Sequence, residues 1–347
     1  MTSQRVRFAV VGLGYWGPNL VRNLYELAEA EVRWICDRDE QRLERLGARY
    51  PAIRRTNSFE QLLNDPQVDA VAIATPISTH YELASSALES GKHVFVEKPL
   101  AGSVDQALDL ARFADECGLV LMPGHTFLYS PPVNRIRELI QSGEIGDIYS
   151  ISTSRVNLGL HQPDVSVIWD LGPHDFSILR HWLGELPAYA FAMTRSCVIP
   201  GIPDVAFVNL EFPCSTIANV ELSWLAPSKL RRTTVIGSRK MVVYDDTSSE
   251  PVRVFDFGVT LPDPTTFGEY TLTYRTGDIV SPRVEIAEPL QLEMADFCTA
   301  IRRDILPRSS AEIGTDVVRM IAAVESSLEQ DGARVRLGEL PAATSVP

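Results

Sequence analysis

The residues best suited to chemistry begin at Gly12-Leu13-Gly14-Tyr15-Trp16-Gly17, three glycines at G-x-G-x-x-G spacing. The string follows an apolar run, Val6 to Val11, and opens a stretch in which Leu20, Val21, Leu24, Leu27 and Ala28 share one helical face. Strand, glycine turn and helix in that order leave unpaired N–H groups at the helix start, where a pyrophosphate can sit. Gly12 would permit the tight turn, Gly14 the close approach of a phosphate and Gly17 the packing of helix on sheet. Tyr15 and Trp16 belong to the same cofactor-binding loop. Asp37 stands twenty residues beyond Gly17, at the end of a second strand, where a carboxylate takes the hydroxyls of an adenosine ribose. The plainer alternative is a glycine turn and a solvated aspartate. Asp37 would repel a 2′-phosphate and so favours NAD. Arg38, turned inward and helped by Arg42, would pair with that phosphate and admit NADP.

A second group lies around His174. An unperturbed imidazole titrates at roughly 6.5, so it can serve as acid or base near neutral pH. Asp170 is one turn earlier if a helix begins here, and would orient the imidazole or bind substrate. The competing reading is a histidine at a helix N-terminus, satisfied by backbone. Pro173 would suit the first helical turn. Trp169 would stack on a sugar ring or a base, or pack in the core. Asp175 would bind a sugar hydroxyl, or cap the helix that carries Phe176, Ile178 and Leu179. Arg155 and Asn157 end a strand that leads through Gly159 and His161, a plausible mobile loop. Arg155 would hold a phosphate or carboxylate, or make a surface ion pair. His125 and Tyr129 follow the change of pattern near Pro123 and would floor a cleft. His93 and His181 sit in apolar runs and read as structural.

These residues need a frame to hold them. The first third alternates strand and helix: strands at Val6–Val11, 31–36, 69–74, 93–96 and 119–122, with helical stripes between them. Ser58 with Gln61, and Ser103 with Gln106, have capping-box spacing. This predicts a parallel sheet with crossover helices. From about Pro123 alternating strands dominate, near 148–156, 189–195, 206–212, 216–224, 232–237 and 241–245, which predicts an antiparallel sheet with one exposed face. Two helices, near 290–303 and 313–328, would cover its other face, and the last residues from Pro341 read as a frayed tail. The fold class is thus an α/β Rossmann domain, residues 1–124, followed by an α+β domain with a large, mainly antiparallel open sheet, residues 125–347. The junction of two such domains is where a ligand cleft is expected.

A chain of 347 residues with 45% apolar content can bury two cores. Its net charge of −13 argues against a nucleic-acid surface, so any phosphate must be held locally. No basic-then-apolar leader and no bilayer-length apolar run is read, so no membrane partner is expected. The five cysteines (Cys36, Cys117, Cys197, Cys214, Cys298) are scattered without metal-ligand spacing. They read as reduced, buried thiols of a cytoplasmic protein, with no metal.

Glu97-Lys98-Pro99 after the strand 93–96, Ala74-Thr75-Pro76 with His80, and Asp170-x-x-x-His174 together resemble the Gfo/Idh/MocA oxidoreductases, the family of glucose–fructose oxidoreductase and inositol dehydrogenase. These matches run in order along nearly the whole chain. The segments 14–19 and 124–127 are similar to a bacterial branch acting on sugars, often nucleotide-linked. The resemblance implies that Lys98 lies between the nicotinamide ribose and the reacting carbon, and that a cis bond before Pro99 aims it. Glu97 would position the lysine, and Thr75, Pro76 and His80 would line the cofactor. It further implies hydride transfer between a secondary alcohol and nicotinamide C4. Lys98 would steady the developing alkoxide and His174 would take the proton. Taken alone, Lys98 would read as a surface lysine after a strand. Two rivals stand beside the dehydrogenase: a glycosidase using NAD in a transient redox cycle, and a cofactor-binding sensor without turnover. A homodimer or homotetramer is expected, with a small sugar-like molecule as substrate.

Overall fold

The computed structural model describes residues 5–159, 161–162, 165–260 and 272–339. They fall into two compact units, one of residues 5–129 with 287–319, the other of residues from 130 to 286 with 320–339.

The first unit is built on β1 (Val6–Val11), α1 (Gly17–Glu26), β2 (Ala30–Cys36), α2 (Glu40–Arg49), β3 (Arg54–Thr56), α3 (Phe59–Leu63), β4 (Ala70–Ile73), α4 (His80–Glu89), β5 (His93–Glu97), α5 (Val104–Glu116) and β6 (Leu121–Gly124). Its six strands lie in the order β3-β2-β1-β4-β5-β6 and pair in parallel throughout. Phe8, Ala9, Val10 and the whole of β4 are inaccessible, which explains the unbroken apolar runs: helices cover both faces. The order reverses between β1 and β4, and ligands of open α/β sheets bind outside the carboxyl ends of the strands at such a switch point. Gly12, Ala74 and Lys98 are the first residues past the ends of β1, β4 and β5. They therefore share one edge of the sheet.

Both serines cap their helices, Ser58 Oγ accepting the Gln61 N–H and Ser103 Oγ the Gln106 N–H, each at 3.3 Å, while the glutamine side chains bond to Thr56 and to the Gly102 N–H rather than closing the box. Two elements were not legible. Helix α2 buries little more than Leu43 and Leu46, and β3 is a three-residue polar edge strand held by its register to Trp34–Cys36.

The second unit contains α6 (Pro131–Gln141), β7 (Ile148–Val156), α7 (Val167–Leu183), β8 (Tyr189–Arg195), β9 (Val205–Glu211), β10 (Ile217–Ser223), β11 (Leu230–Gly237), β12 (Met241–Asp245), β13 (Val252–Thr260) and β14 (Thr273–Val280). With β15 (Val335–Arg336) they make a nine-stranded sheet in the order β14-β13-β12-β11-β7-β10-β9-β8-β15. Only β7 and β10 run parallel; the other pairs are antiparallel. Ala218, Val220 and Leu222 alternate inward along β10, and α7 packs on that strand.

The cover of this sheet corrects the expectation that the last two helices supply it. Helices α6 and α7 lie together, tied by the Trp182 indole donating to the Val133 carbonyl at 2.9 Å, and pack on β12 and β10. Helix α8 (Pro289–Arg303) belongs to the first unit, where Leu290, Met294, Phe297 and Cys298 join the core of Val6, Phe8 and Phe95. The Phe297 ring stands 5.9 Å from Phe8 and 6.0 Å from Phe95. An apolar helical stripe says that a face is buried but not which sheet buries it. Helix α9 (Ala311–Glu329) counts with the first unit up to Arg319 and with the second from Met320 on.

Among the described residues no helix is long and apolar enough to cross a membrane. Cys36 and Cys298 are buried as expected, whereas Cys117, Cys197 and Cys214 are exposed. The expected tail from Pro341, and Leu160, Pro163 and Asp164 of the loop after Asn157, lie outside the described residues.

Candidate active site

The glycine loop separates what the fold needs from what a ligand needs. Gly12 has φ +86°, and a Cβ there would meet the Ala74 carbonyl oxygen at 2.5 Å; a Cβ on Gly17 would meet the Gly12 oxygen at 1.9 Å. Both glycines are fixed by close backbone approach. A Cβ on Gly14 would meet nothing nearer than Arg42 Nη1, at 3.8 Å. The packing leaves Gly14 open, as the approach of a phosphate requires. Helix α1 begins at Gly17 with no side-chain cap and with proline in its first turn, so its leading N–H groups face the loop. A dinucleotide pyrophosphate fits this donor set.

Asp37 is buried under the loop. One carboxylate oxygen accepts the Leu13 N–H at 2.6 Å and the other accepts the Asp39 N–H at 2.8 Å. Arg38 is exposed. The guanidinium beside Asp37 is that of Arg42, at 3.6 Å, so the basic group nearest the loop is the one four residues further along. Tyr15 is 86% exposed and stacks on Trp16, their ring centroids 6.3 Å apart.

Thr75 follows β4 and accepts the Thr79 hydroxyl at 2.8 Å; Pro76 is exposed beside it. His80 is buried, with Nδ1 2.8 Å from the Pro99 oxygen and Nε2 2.9 Å from the Thr75 oxygen. It ties the β4 edge to the turn that carries Lys98, which makes it a strut of the site rather than a lining group. Burial holds its pKa below the usual imidazole value although both neighbours are carbonyls, so the neutral ring donates to one of them. The Lys98–Pro99 peptide is cis. Glu97 closes β5; the residue is half-buried with its Oε1 shut off from solvent, and desolvation pushes its pKa up to about 8 against the opposing pull of Lys98. His125 is fully inaccessible and burial pushes it down to about 3, so it is neutral. Tyr129 donates to Asp296 at 2.7 Å and accepts the Ser309 N–H at 3.0 Å, a structural anchor.

In the second unit, helix α7 starts at Val167, not at Asp170, because Val167, Ile168 and Trp169 are buried and extend it backwards. Asp170 falls in its first turn and Pro173 lies inside the helix, contrary to the expected first-turn proline. Asp170 and His174 share a face at i, i+4. The Trp224 indole N–H donates to Asp170 at 3.0 Å, which fixes that carboxylate. His174 is half-buried, and its carbonyl accepts the Ser177 hydroxyl at 2.9 Å.

Three residues expected to touch substrate are turned to one another or to the core. Arg155 and Asp175 are 4% and 3% exposed and form a two-pronged ion pair, Nε–Oδ2 2.5 Å and Nη2–Oδ1 3.2 Å. Thr153 adds a hydroxyl to Asp175 at 2.9 Å. This pair fastens α7, the helix that carries His174, to β7. Trp169 is buried, its indole donating to Glu325, whose carboxyl burial pushes up to about 7. Asn157 is half-buried and its backbone continues the β7–β10 pairing, N–H to the Ser223 oxygen at 3.1 Å. His93 and His181 are structural, the first accepting the Val120 N–H at 3.0 Å and the second bonded to Asn134 at 3.1 Å.

Trp224 was missed by sequence reasoning, although it extends the inward parity of Ala218, Val220 and Leu222, and a buried indole seeks a partner. Glu293 was missed as well: a carboxylate on the apolar stripe of α8 is the kind of mismatch that flags a special residue.

Comparison with known proteins adds to this geometry. Residues 6–125 match the oxidoreductase family with an NAD-binding Rossmann fold, and residues 133–243 match the GFO/IDH/MocA C-terminal domain. The chain is 28% identical over 340 residues to D-xylose 1-dehydrogenase (NADP(+)) 2 of Haloferax volcanii, covering 95% of this chain and 99% of that one. It is 33% identical over 258 residues to dTDP-3,4-didehydro-2,6-dideoxy-alpha-D-glucose 3-reductase of Saccharopolyspora spinosa, covering 72% of this chain and 77% of the relative. Among solved structures it is similar to UDP-N-acetylglucosamine 3-dehydrogenase of Acidithiobacillus ferrooxidans, with TM-score 0.76, 25% identity and coverage of 93% and 98%.

Proposed function

This chain belongs to the Gfo/Idh/MocA family of NAD(P)-dependent oxidoreductases, and from that premise we propose that it interconverts a secondary alcohol and a ketone on a sugar, nucleotide sugar or cyclitol, with Lys98 and His174 handling the proton. The observation that carries this reading is the place of Lys98, on the same sheet edge as the open approach over Gly14. The named activities of the relatives, a xylose dehydrogenase and two enzymes of nucleotide-sugar redox chemistry, support the substrate class.

A bound nicotinamide supplies the hydride acceptor or donor. The Lys98 ammonium hydrogen-bonds the reacting oxygen and stabilises charge that develops there. His174 takes the hydroxyl proton in the oxidative direction and returns it in the reductive one. Asp170, held by Trp224, orients the imidazole or binds a sugar hydroxyl. Asn157 lies on the substrate side, Arg155, Asp175 and Trp169 act through the scaffold that holds α7, and His125, fully inaccessible, serves the core rather than touching substrate. Asp37 disfavours a 2′-phosphate, so NAD is the preferred cofactor, with Arg42 leaving a route to NADP. Five cysteines without a disulfide fit the cytoplasm. Apolar residues exposed along β14, Tyr274, Ile279 and Val280, fit a homodimer or homotetramer.

The test is a panel of nucleotide sugars, free sugars and cyclitols incubated with NAD while nicotinamide absorbance is followed. Stoichiometric NADH with one of them is the expected result. Sugar release without net NADH would replace the dehydrogenase by a transient-redox glycosidase. NAD binding with no turnover of any member would favour a sensor.

A further inference from the structure

Two carboxyls of the first unit come together at one short segment, and one of them, the fully buried Glu293, has no part in the chemistry above. Glu293 comes from α8, on the apolar stripe it shares with Leu290, Met294 and Phe297, and has no solvent exposure. Its Oε2 accepts the Thr126 hydroxyl at 2.7 Å, and its Oε1 has no partner among the described residues. Glu97 reaches the same spot from the end of β5. Its Oε2 accepts the Lys98 N–H at 3.3 Å and lies over Gly124, where a Cβ would stand only 3.2 Å away. Its Oε1 is likewise buried and without a partner among the described residues. Gly124 and Thr126 are two residues apart, so the carboxyls converge on one short segment, where a charge on Glu97 opposes ionisation of Glu293.

The remaining groups around the pair decide its charge. Lys98 pulls Glu97 toward ionisation. His125, between Gly124 and Thr126, is neutral and adds no cation. Asp296 and Tyr129 add no positive charge either: Asp296 pushes Glu293 further up, and Tyr129 is locked on Asp296. Trp16 offers an indole donor toward Glu97. One ammonium can balance one carboxylate, and a second carboxylate in the same place would be uncompensated. A single retained proton turns one orphaned oxygen into a donor and gives it the other as acceptor.

We propose that Glu293 is a positioning residue that stays in its acid form and donates its proton as a hydrogen bond to the Glu97 carboxylate, holding that carboxylate against Lys98. The Glu97 end of this contact rests on the role given to Lys98 above; the protonation of Glu293 does not. A glutamine at 293 can accept from Thr126 with its oxygen and donate to Glu97 with its nitrogen, whereas leucine can do neither.

The direct test is infrared spectroscopy of the full chain, followed with pH and with NADH as the only added ligand. The wild type should keep one protonated carboxyl band at about pH 9, far above the ordinary carboxyl range, and E293Q should lack it. In steady-state turnover with whichever sugar the panel identifies, E293L should lower kcat about tenfold and move the limb set by Glu97 to more alkaline pH, with the NADH Kd within about threefold. E293Q should restore kcat to within about threefold and return the limb to its wild-type position. Absence of the band in the wild type, its survival in E293Q, wild-type kcat in E293L, or equal loss in E293L and E293Q would each overturn the proposal. If no sugar is turned over, the functional reading fails while the infrared result still decides the state of Glu293.

Discussion

The two units solve the problem of holding polar groups in opposite ways. In the first, the groups nominated for ligand binding stay near their ligand's path: Gly14 is open, α1 is uncapped by any side chain, and Lys98 leaves the sheet at the switch-point edge. In the second, polar side chains that looked like substrate contacts are engaged with buried partners, Arg155 with Asp175 and Trp169 with Glu325. The first unit spends its precision on backbone, since a pyrophosphate is read by N–H groups. The second must place side chains on a helix, and that helix needs buried anchors. A charged residue near a site is therefore a weak sign of ligand contact until its burial is known.

The largest expected effects test the residues that bridge this contrast. Lys98→Ala and His174→Ala should each cut kcat by about 10²–10⁴ while the NADH Kd stays within about threefold, read by steady-state kinetics and fluorescence titration. Full activity in either variant would remove that side chain from the proton's path. Next comes Arg155→Ala, which leaves Asp175 buried without its ion. It should cost about 3–5 kcal/mol in denaturant unfolding, and the double variant Arg155→Met with Asp175→Leu should recover much of the loss. Wild-type stability with a raised KM would instead make the pair a binding site and erase the contrast between the units.

Asp37→Ala should weaken NAD about tenfold relative to NADP, measured as a ratio of Kd values. An unchanged ratio would mean that the carboxylate serves only Leu13 and Asp39. The smallest effect is a pH trend shared by both units. Burial holds Glu293 well above the ordinary carboxyl range and raises Glu325 to about 7, so the folded chain holds protons that the unfolded chain has released. Their stabilisation is complete at acid pH, below the ordinary carboxyl value, and is lost as pH rises toward these folded values. The Tm should therefore be lower at about pH 8.5 than at about pH 6, with a shallower slope in Glu325→Gln. A Tm that climbs over this interval would contradict the buried-acid assignment.

How much of this was legible in the sequence depended on range. The glycine loop, the two serine caps and the strand ends that carry Lys98 are local, and each follows from a few consecutive residues. Helix α8 was legible as a helix and misassigned as cover, since its partners Phe8 and Phe95 lie far back in the chain, in β1 and β5. The edge strand β3 carries almost no apolar signal, and β14 was unread for a related reason, being exposed along most of its length. In the second unit the fate of Arg155 was undecidable locally. Asp175 is its partner only because α7 packs on β9 and β10, next to β7, and that placement is a property of the fold rather than of either segment.

One structure tests the central claim most directly: the complex of this chain with NADH and the ketone form of its best substrate. Lys98 Nζ and an imidazole nitrogen of His174 should both lie within about 3.2 Å of the reacting oxygen, with the glycine loop on the pyrophosphate. An oxygen met by neither group, or by only one of them with the other across the sugar ring, would contradict the assignment of the proton to this pair.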